Sequence, residues 1–93
     1  MIKHVVMWKF RPDTQAQQKE FLEKLSGLQG VIPQLIRSEV GVNVGADNYD
    51  AVLISEFHSM EDLHAYKVDP RHQAVSGFCK SIAVDRVAVD YEF

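Results

Sequence analysis

The sequence predicts an α+β domain with ferredoxin-like β-α-β-β-α-β order and a four-stranded antiparallel sheet. Three observations carry that expectation. Four stretches, Ile2 to Phe10, Leu35 to Val44, Tyr49 to Phe57 and Ile82 to Phe93, have the β-branched, aromatic or alternating character of strands. One helical stripe separates the first two strands, and a double helix start separates the last two. Strands one and three carry apolar residues on both sides, so helices on one face leave a second face that another surface must cover.

The first strand sets Ile2, His4, Val6, Trp8 and Phe10 on one side and Lys3, Val5, Met7 and Lys9 on the other. Arg11-Pro12-Asp13-Thr14 ends it. Asp13 or Thr14 can cap the next helix, and Thr14 with Gln17 fits a capping box. The helix then runs about four turns to Gly27 or Gly30, with Phe21, Leu22, Leu25, Leu28 and Ile32 as its apolar stripe. Gly45-Ala46-Asp47-Asn48 is turn chemistry joining the second and third strands in a hairpin. Ser59 to Asp62 forms a variant capping box, and Asp69-Pro70 starts a second, short helix with His72 in its first turn. Gly77 and Phe78 lead towards the last strand, where Val87, Val89 and Tyr91 alternate with Ala88, Asp90 and Glu92.

A chain of 93 residues is one domain, residues 1–93, without repeat or linker. A domain of this size buries only about two-thirds of its unfolded surface, so stability leans on a partner. Packing two copies sheet to sheet about a two-fold axis removes the second apolar face from water, which predicts a homodimer. Ten Lys and Arg against 13 Asp and Glu, with no basic run, argue against a nucleic-acid partner. The hydrophobic fraction of 46% and charged fraction of 25% argue against disorder and membrane insertion. A single cysteine, Cys79, leaves no internal disulfide, and no signal-like segment opens the chain, so a cytoplasmic location is expected.

Four residues are candidates for chemistry: His4, Tyr66, His72 and Asp90. His4 sits mid-strand among apolar neighbours, as a satisfied core group or as a general base. His72, beside a helix N-terminus, has its charged form disfavoured by the dipole and stays a neutral proton acceptor. Tyr66 offers a phenol able to donate to an oxyanion, or serves as core three residues after Leu63. Trp8, Phe57 and Phe78 are either cavity walls or core packing. His58 and His64 lack metal-ligand spacing, Cys79 has no neighbour that would lower its pKa, and the scattered glycines make no phosphate loop. No metal or cofactor is expected.

Met1 to Phe10, Ile32-Pro33, Tyr49 to Phe57, Ser59 to Leu63, Ala65 to His72 and Val89-Asp90-Tyr91 together resemble the stress-responsive α/β-barrel domain, the Dabb family, over essentially the whole chain. The resemblance implies a dimeric α+β barrel and a small-ligand or stress-associated role. A plant polyketide cyclase of that family closes a linear chain by aldol-type condensation, with functional positions that match His4, Tyr66, His72 and Asp90. In that chemistry one imidazole removes a proton beside a carbonyl while a phenol steadies the enolate oxygen, and Asp90 would orient an imidazole. Two positions depart from the cyclase: Ala51 stands for a third-strand His, and Leu25 for a first-helix Tyr. The likeness therefore carries over a pocket and not a substrate; Trp8, Ala51, Phe57 and Phe78 are the ligand-binding candidates for its wall.

Two functions compete. One is a homodimer that binds a small hydrophobic, aromatic or carbonyl ligand; the other is an enzyme of aldol, cyclase or isomerase type using His4 and His72 for proton transfer. Cofactor-independent monooxygenases and haem-degrading enzymes share the dimeric barrel, but only fold analogy favours them.

Overall fold

The alternation of Ile2–Phe10 becomes strand β1, whose even-numbered residues are buried while Met7 and Lys9 are exposed. The computed structural model describes residues 1–93 throughout. After β1 come α1 (Gln15–Ser26), β2 (Arg37–Val42), β3 (Ala51–Phe57), α2 (Met60–Val68), α3 (Pro70–Lys80) and β4 (Ala83–Glu92). The β-α-β-β-α-β order is therefore as expected, with the second helical region divided at Asp69-Pro70. The sheet runs β2-β3-β1-β4, with antiparallel neighbours throughout. No helix is long and apolar enough to cross a membrane.

All three helices lie on the face that presents Ile2, Val6, Trp8 and Phe10 from β1 and Ala51, Leu53 and Phe57 from β3. These residues join Phe21, Leu25, Leu28 and Ile32 of the α1 region and Leu63, Tyr66, Val75 and Cys79 of α2 and α3 in one core. Trp8 meets Phe21 edge to face at 5.2 Å between ring centroids. The opposite face carries Val5, Met7, Val52, Ile54, Val87, Val89 and Tyr91, and no element of the chain covers it. Met7, Val87, Val89 and Tyr91 are all at least 40% exposed, an apolar surface of the kind expected to be shared with another molecule.

Local chemistry explains the boundaries. Ser59 Oγ accepts the Asp62 N–H at 3.1 Å, and Asp69 Oδ1 accepts the Arg71 N–H at 2.8 Å with Pro70 in the first turn, so both helix starts read from the sequence form. Arg71 also donates to the Val31 carbonyl at 3.0 Å, tying the start of α3 to the segment after α1. Thr14, by contrast, builds no capping box with Gln17. Its hydroxyl donates to the Arg11 carbonyl and accepts from Gln18 Nε2, and it makes no bond to a backbone N–H of the first turn.

Strand β2 is shorter than Leu35 to Val44. Leu35 turns inward on an N–H bond to Ile32, and Asn43 stops the strand by donating to the Asp47 and Tyr49 carbonyls while accepting the Gly45 N–H. The hairpin loop closes with Asn48 at a φ of 78°, a left-handed position that asparagine tolerates. Gly77 and Phe78 lie inside α3, which runs on to Lys80, and do not lead out of it.

Candidate functional site

The antiparallel register places His4 of β1 between Ser55 of β3 and Asp90 of β4. Together with Ser38, which pairs with Ser55, they form a polar row across the helix-covered face. His4 Nδ1 lies 2.5 Å from Asp90 Oδ1. A carboxylate accepts, so Nδ1 carries the proton and Nε2 keeps its lone pair. Ser55 is fully buried, and its hydroxyl has no hydrogen-bond partner in the chain.

His72 arrives from the other side. Its Nδ1 lies 3.2 Å from the Lys67 carbonyl, which can only accept, so Nδ1 again holds the proton and Nε2 is the free base. Lys67 links the two histidines: its backbone orients His72, and its ammonium stands 3.9 Å from Asp90 Oδ2. Burial lowers the pKa of both imidazoles, outweighing the upward pull of Asp90 on His4 and of the Lys67 carbonyl on His72. A charge on His4 lowers His72 further. Both rings are therefore neutral at neutral pH.

His4 and His72 line one cavity of about 540 Å³ between the sheet, α1 and α3. Its apolar wall includes Val6, Trp8, Phe21, Leu25, Leu53 and Val75, and Arg86 and Lys80 stand at its polar side. Tyr66 backs this wall. Its ring packs on His72 at 4.3 Å and on Phe57 at 5.1 Å between centroids. Burial pushes the phenol up to about 12, which keeps it protonated and a donor.

Of the candidates, His4, His72 and Trp8 line the cavity, while Asp90 and Tyr66 do not line it and instead contact His4 and His72 respectively. Three expected wall residues stand elsewhere. Phe57 is wholly buried beneath Tyr66, so its ring is core. Phe78 is half-buried against the core on the α1 side of α3, with the Lys24 ammonium 5.0 Å from its ring, and does not line the cavity. Ala51, the first residue of β3, is the direct cross-strand partner of Trp8 and borders two other grooves instead. His58 and His64 are exposed on the surface, and Cys79 is a buried thiol raised to about 11. No three His, Cys, Asp or Glu side chains converge as a metal site.

Sequence reasoning missed Lys67, Ser55 and Arg86. Ser55 and Arg86 had a signal in the period of two, because Ser55 shares a face with Leu53 and Phe57, and Arg86 shares one with Asp90. Lys67 acts through a carbonyl, which side-chain identity does not reveal.

Comparison with known proteins agrees with this architecture. A dimeric protein of unknown function and ferredoxin-like fold from Bacteroides fragilis is 30% identical, covers 99% of this chain and 95% of its own, and superposes with a TM-score of 0.91. A dimeric ferredoxin-like protein of unknown function from Thermobifida fusca is 27% identical, with 99% and 90% coverage and a TM-score of 0.89. A hydroxynitrile lyase from Passiflora edulis shares the fold at 20% identity, with 97% and 90% coverage and a TM-score of 0.86. No curated protein matches the sequence significantly. The sequence model of the stress-responsive A/B barrel domain, Dabb, matches residues 2–93, and the chain belongs to that family.

Proposed function

We propose that the protein is a homodimer that binds a small hydrophobic or aromatic carbonyl compound in the cavity shared by His4 and His72. The observation that carries this reading is the convergence of two neutral imidazoles, each with its Nδ1 proton committed and its Nε2 free, on one largely apolar space. A pocket of this size with a few convergent polar groups suits a small organic ligand. The dimer is supported by the uncovered apolar sheet face and by the dimeric relatives, and that face is its proposed interface.

The same geometry favours a second reading, proton transfer beside a carbonyl. One Nε2 takes a proton from carbon, the Tyr66 hydroxyl donates to the enolate oxygen, and the imidazolium so formed returns that proton to another carbon during an isomerisation or to the alkoxide after carbon–carbon bond formation. Asp90 acts as the positioning residue for His4. Incubation with small aryl ketones in deuterated water, followed by proton NMR, tests both readings. Ligand-induced shifts with enzyme-dependent loss of the α-proton signal support turnover, and shifts alone support binding. Neither shifts nor exchange across a panel of aryl ketones and aromatic acids would remove the cavity from consideration.

A further inference from the structure

Arg86 faces Trp8 in the β1–β4 ladder and lines the cavity. Its backbone N–H is bonded to Asp85 Oδ1 at 2.8 Å, but its guanidinium enters none of the ion pairs of the chain. Neither neighbouring carboxylate pairs with it, although Asp85 lines the same cavity. Asp85 is held by the Tyr49 hydroxyl and the Arg86 N–H. Asp90, on the same face, stands roughly 13 Å further along the strand, taking 3.3 Å per residue, and is bound to His4 with Lys67 alongside. The charge of Arg86 nevertheless reaches the cavity, since it lowers the pKa of His4, His72 and Cys79.

The cavity therefore combines an apolar wall, two neutral bases and a polar side where Arg86 and Lys80, neither in an ion pair, stand beside the Asp85 carboxylate. A guanidinium stays charged at any working pH and offers a planar fork that matches a carboxylate. We propose that the ligand is a carbonyl compound bearing a carboxylate, with Arg86 gripping the carboxylate while the body lies along Trp8 towards His4 and His72. This assignment rests on the reading of the cavity as a carbonyl-compound site. An aromatic keto acid is the simplest molecule with all three features.

Benzoylformate and its neutral counterpart benzoylformamide test the assignment, because neither has an α-hydrogen to exchange. Their affinities are measured by calorimetry on the unmodified protein, Arg86→Gln and Arg86→Lys. The expected result is a roughly tenfold to hundredfold preference for benzoylformate, the range of one charge-assisted hydrogen bond. It should vanish in Arg86→Gln, survive in part in Arg86→Lys and weaken with salt, while benzoylformamide binds all three alike. Arg86 is exposed, so the substitutions leave the core intact. Equal affinity for the two compounds in the unmodified protein sinks the carboxylate assignment and leaves the cavity reading standing. A preference that survives Arg86→Gln also overturns it and moves the anion site elsewhere, with Lys80 the next cation to replace. Binding of neither compound at millimolar concentration overturns both.

Discussion

His4 and Asp90 are direct cross-strand partners, and the 2.5 Å contact between Nδ1 and Oδ1 fixes the histidine tautomer from the sheet register itself. The carboxylate raises the His4 pKa against the larger, opposite effect of burial. Asp90→Asn removes the charge, so the His4 pKa should fall further below its ordinary value of 6.5. Titration of the His4 ring signals by NMR reads the shift. If His4 takes part in turnover, Asp90→Asn should also lower kcat, on the order of 10²-fold or more, and do little further harm in a His4→Ala background. An unmoved or raised His4 pKa would mean that Asp90 does not orient the ring.

Tyr66 and Phe57 separate chemistry from packing, because their rings touch while only Tyr66 has a hydroxyl. Tyr66→Phe keeps the contacts with Phe57 and His72, and its stability should stay within about 1 kcal/mol, the ordinary scale of one hydrogen-bonding group. Turnover, where present, should fall on the order of 10²-fold with the loss of an oxyanion donor. Phe57→Ala does the reverse. It opens a cavity under a wholly buried site and should cost about 3–5 kcal/mol in denaturant unfolding. A cost below about 1 kcal/mol would contradict the burial of this ring.

What the sequence reveals follows from which physical signals it carries. Strand alternation fixed the face of His4, and the Ser59 and Asp69-Pro70 starts fixed His72 in the first turn of α3, because both depend on local side-chain chemistry. The partner of His72 lay outside that signal. The Lys67 carbonyl points at the ring only because the chain restarts at Asp69. Burial outweighs every other influence on the His72 pKa, and it too arises from tertiary packing. Phe57 and Phe78 looked like wall residues for the same reason, since the composition of an aromatic cluster does not say which ring lies outermost. Asp90 came from family likeness, and the period that places it also places Arg86 on the same face.

Stability should respond to pH in two windows on the acid side. His4 and His72 have folded pKa values below the ordinary 6.5, so the unfolded chain takes up protons first as pH falls. Stability is then highest above about pH 7 and declines as pH drops through 6.5 towards the lowered folded values, where it levels off. Asp69 acts later. Its hydrogen bonds to Arg71 hold it at about 2, so its contribution is present above the ordinary 3.8 and is lost as pH falls from there towards 2. Urea midpoints at fixed protein concentration should show the first decline in the native protein, and it should be reduced in His4→Gln and His72→Gln. His72→Gln should itself lower stability by about 1 kcal/mol, because the ring packs on Tyr66 and its Nδ1 is bonded. That outcome differs from the small effect expected of a solvated first-turn residue. A midpoint flat between pH 7 and 5 would show that neither imidazole is held neutral by burial.

The uncovered sheet face gives the last prediction. Val5 and Val89 are Cα partners at the centre of the β1–β4 pair, and Val89 is 62% exposed on the face that no helix covers. Two copies meeting there would bury Val89 without disturbing the helix-side core. Val89→Asp places a charge in that seam, where it would lose its water without gaining a partner. The variant should fold, with unchanged circular dichroism at low temperature, yet run as a monomer by light scattering at micromolar concentration, where the native protein runs as a dimer. Its melting temperature should fall and lose its dependence on protein concentration, because association no longer adds to stability. Val84→Asp is the control: Val84 is 56% exposed but lines the cavity side, so the same charge there should leave the dimer intact. A Val89→Asp protein that remains dimeric would place the interface elsewhere and leave the apolar face without its proposed partner.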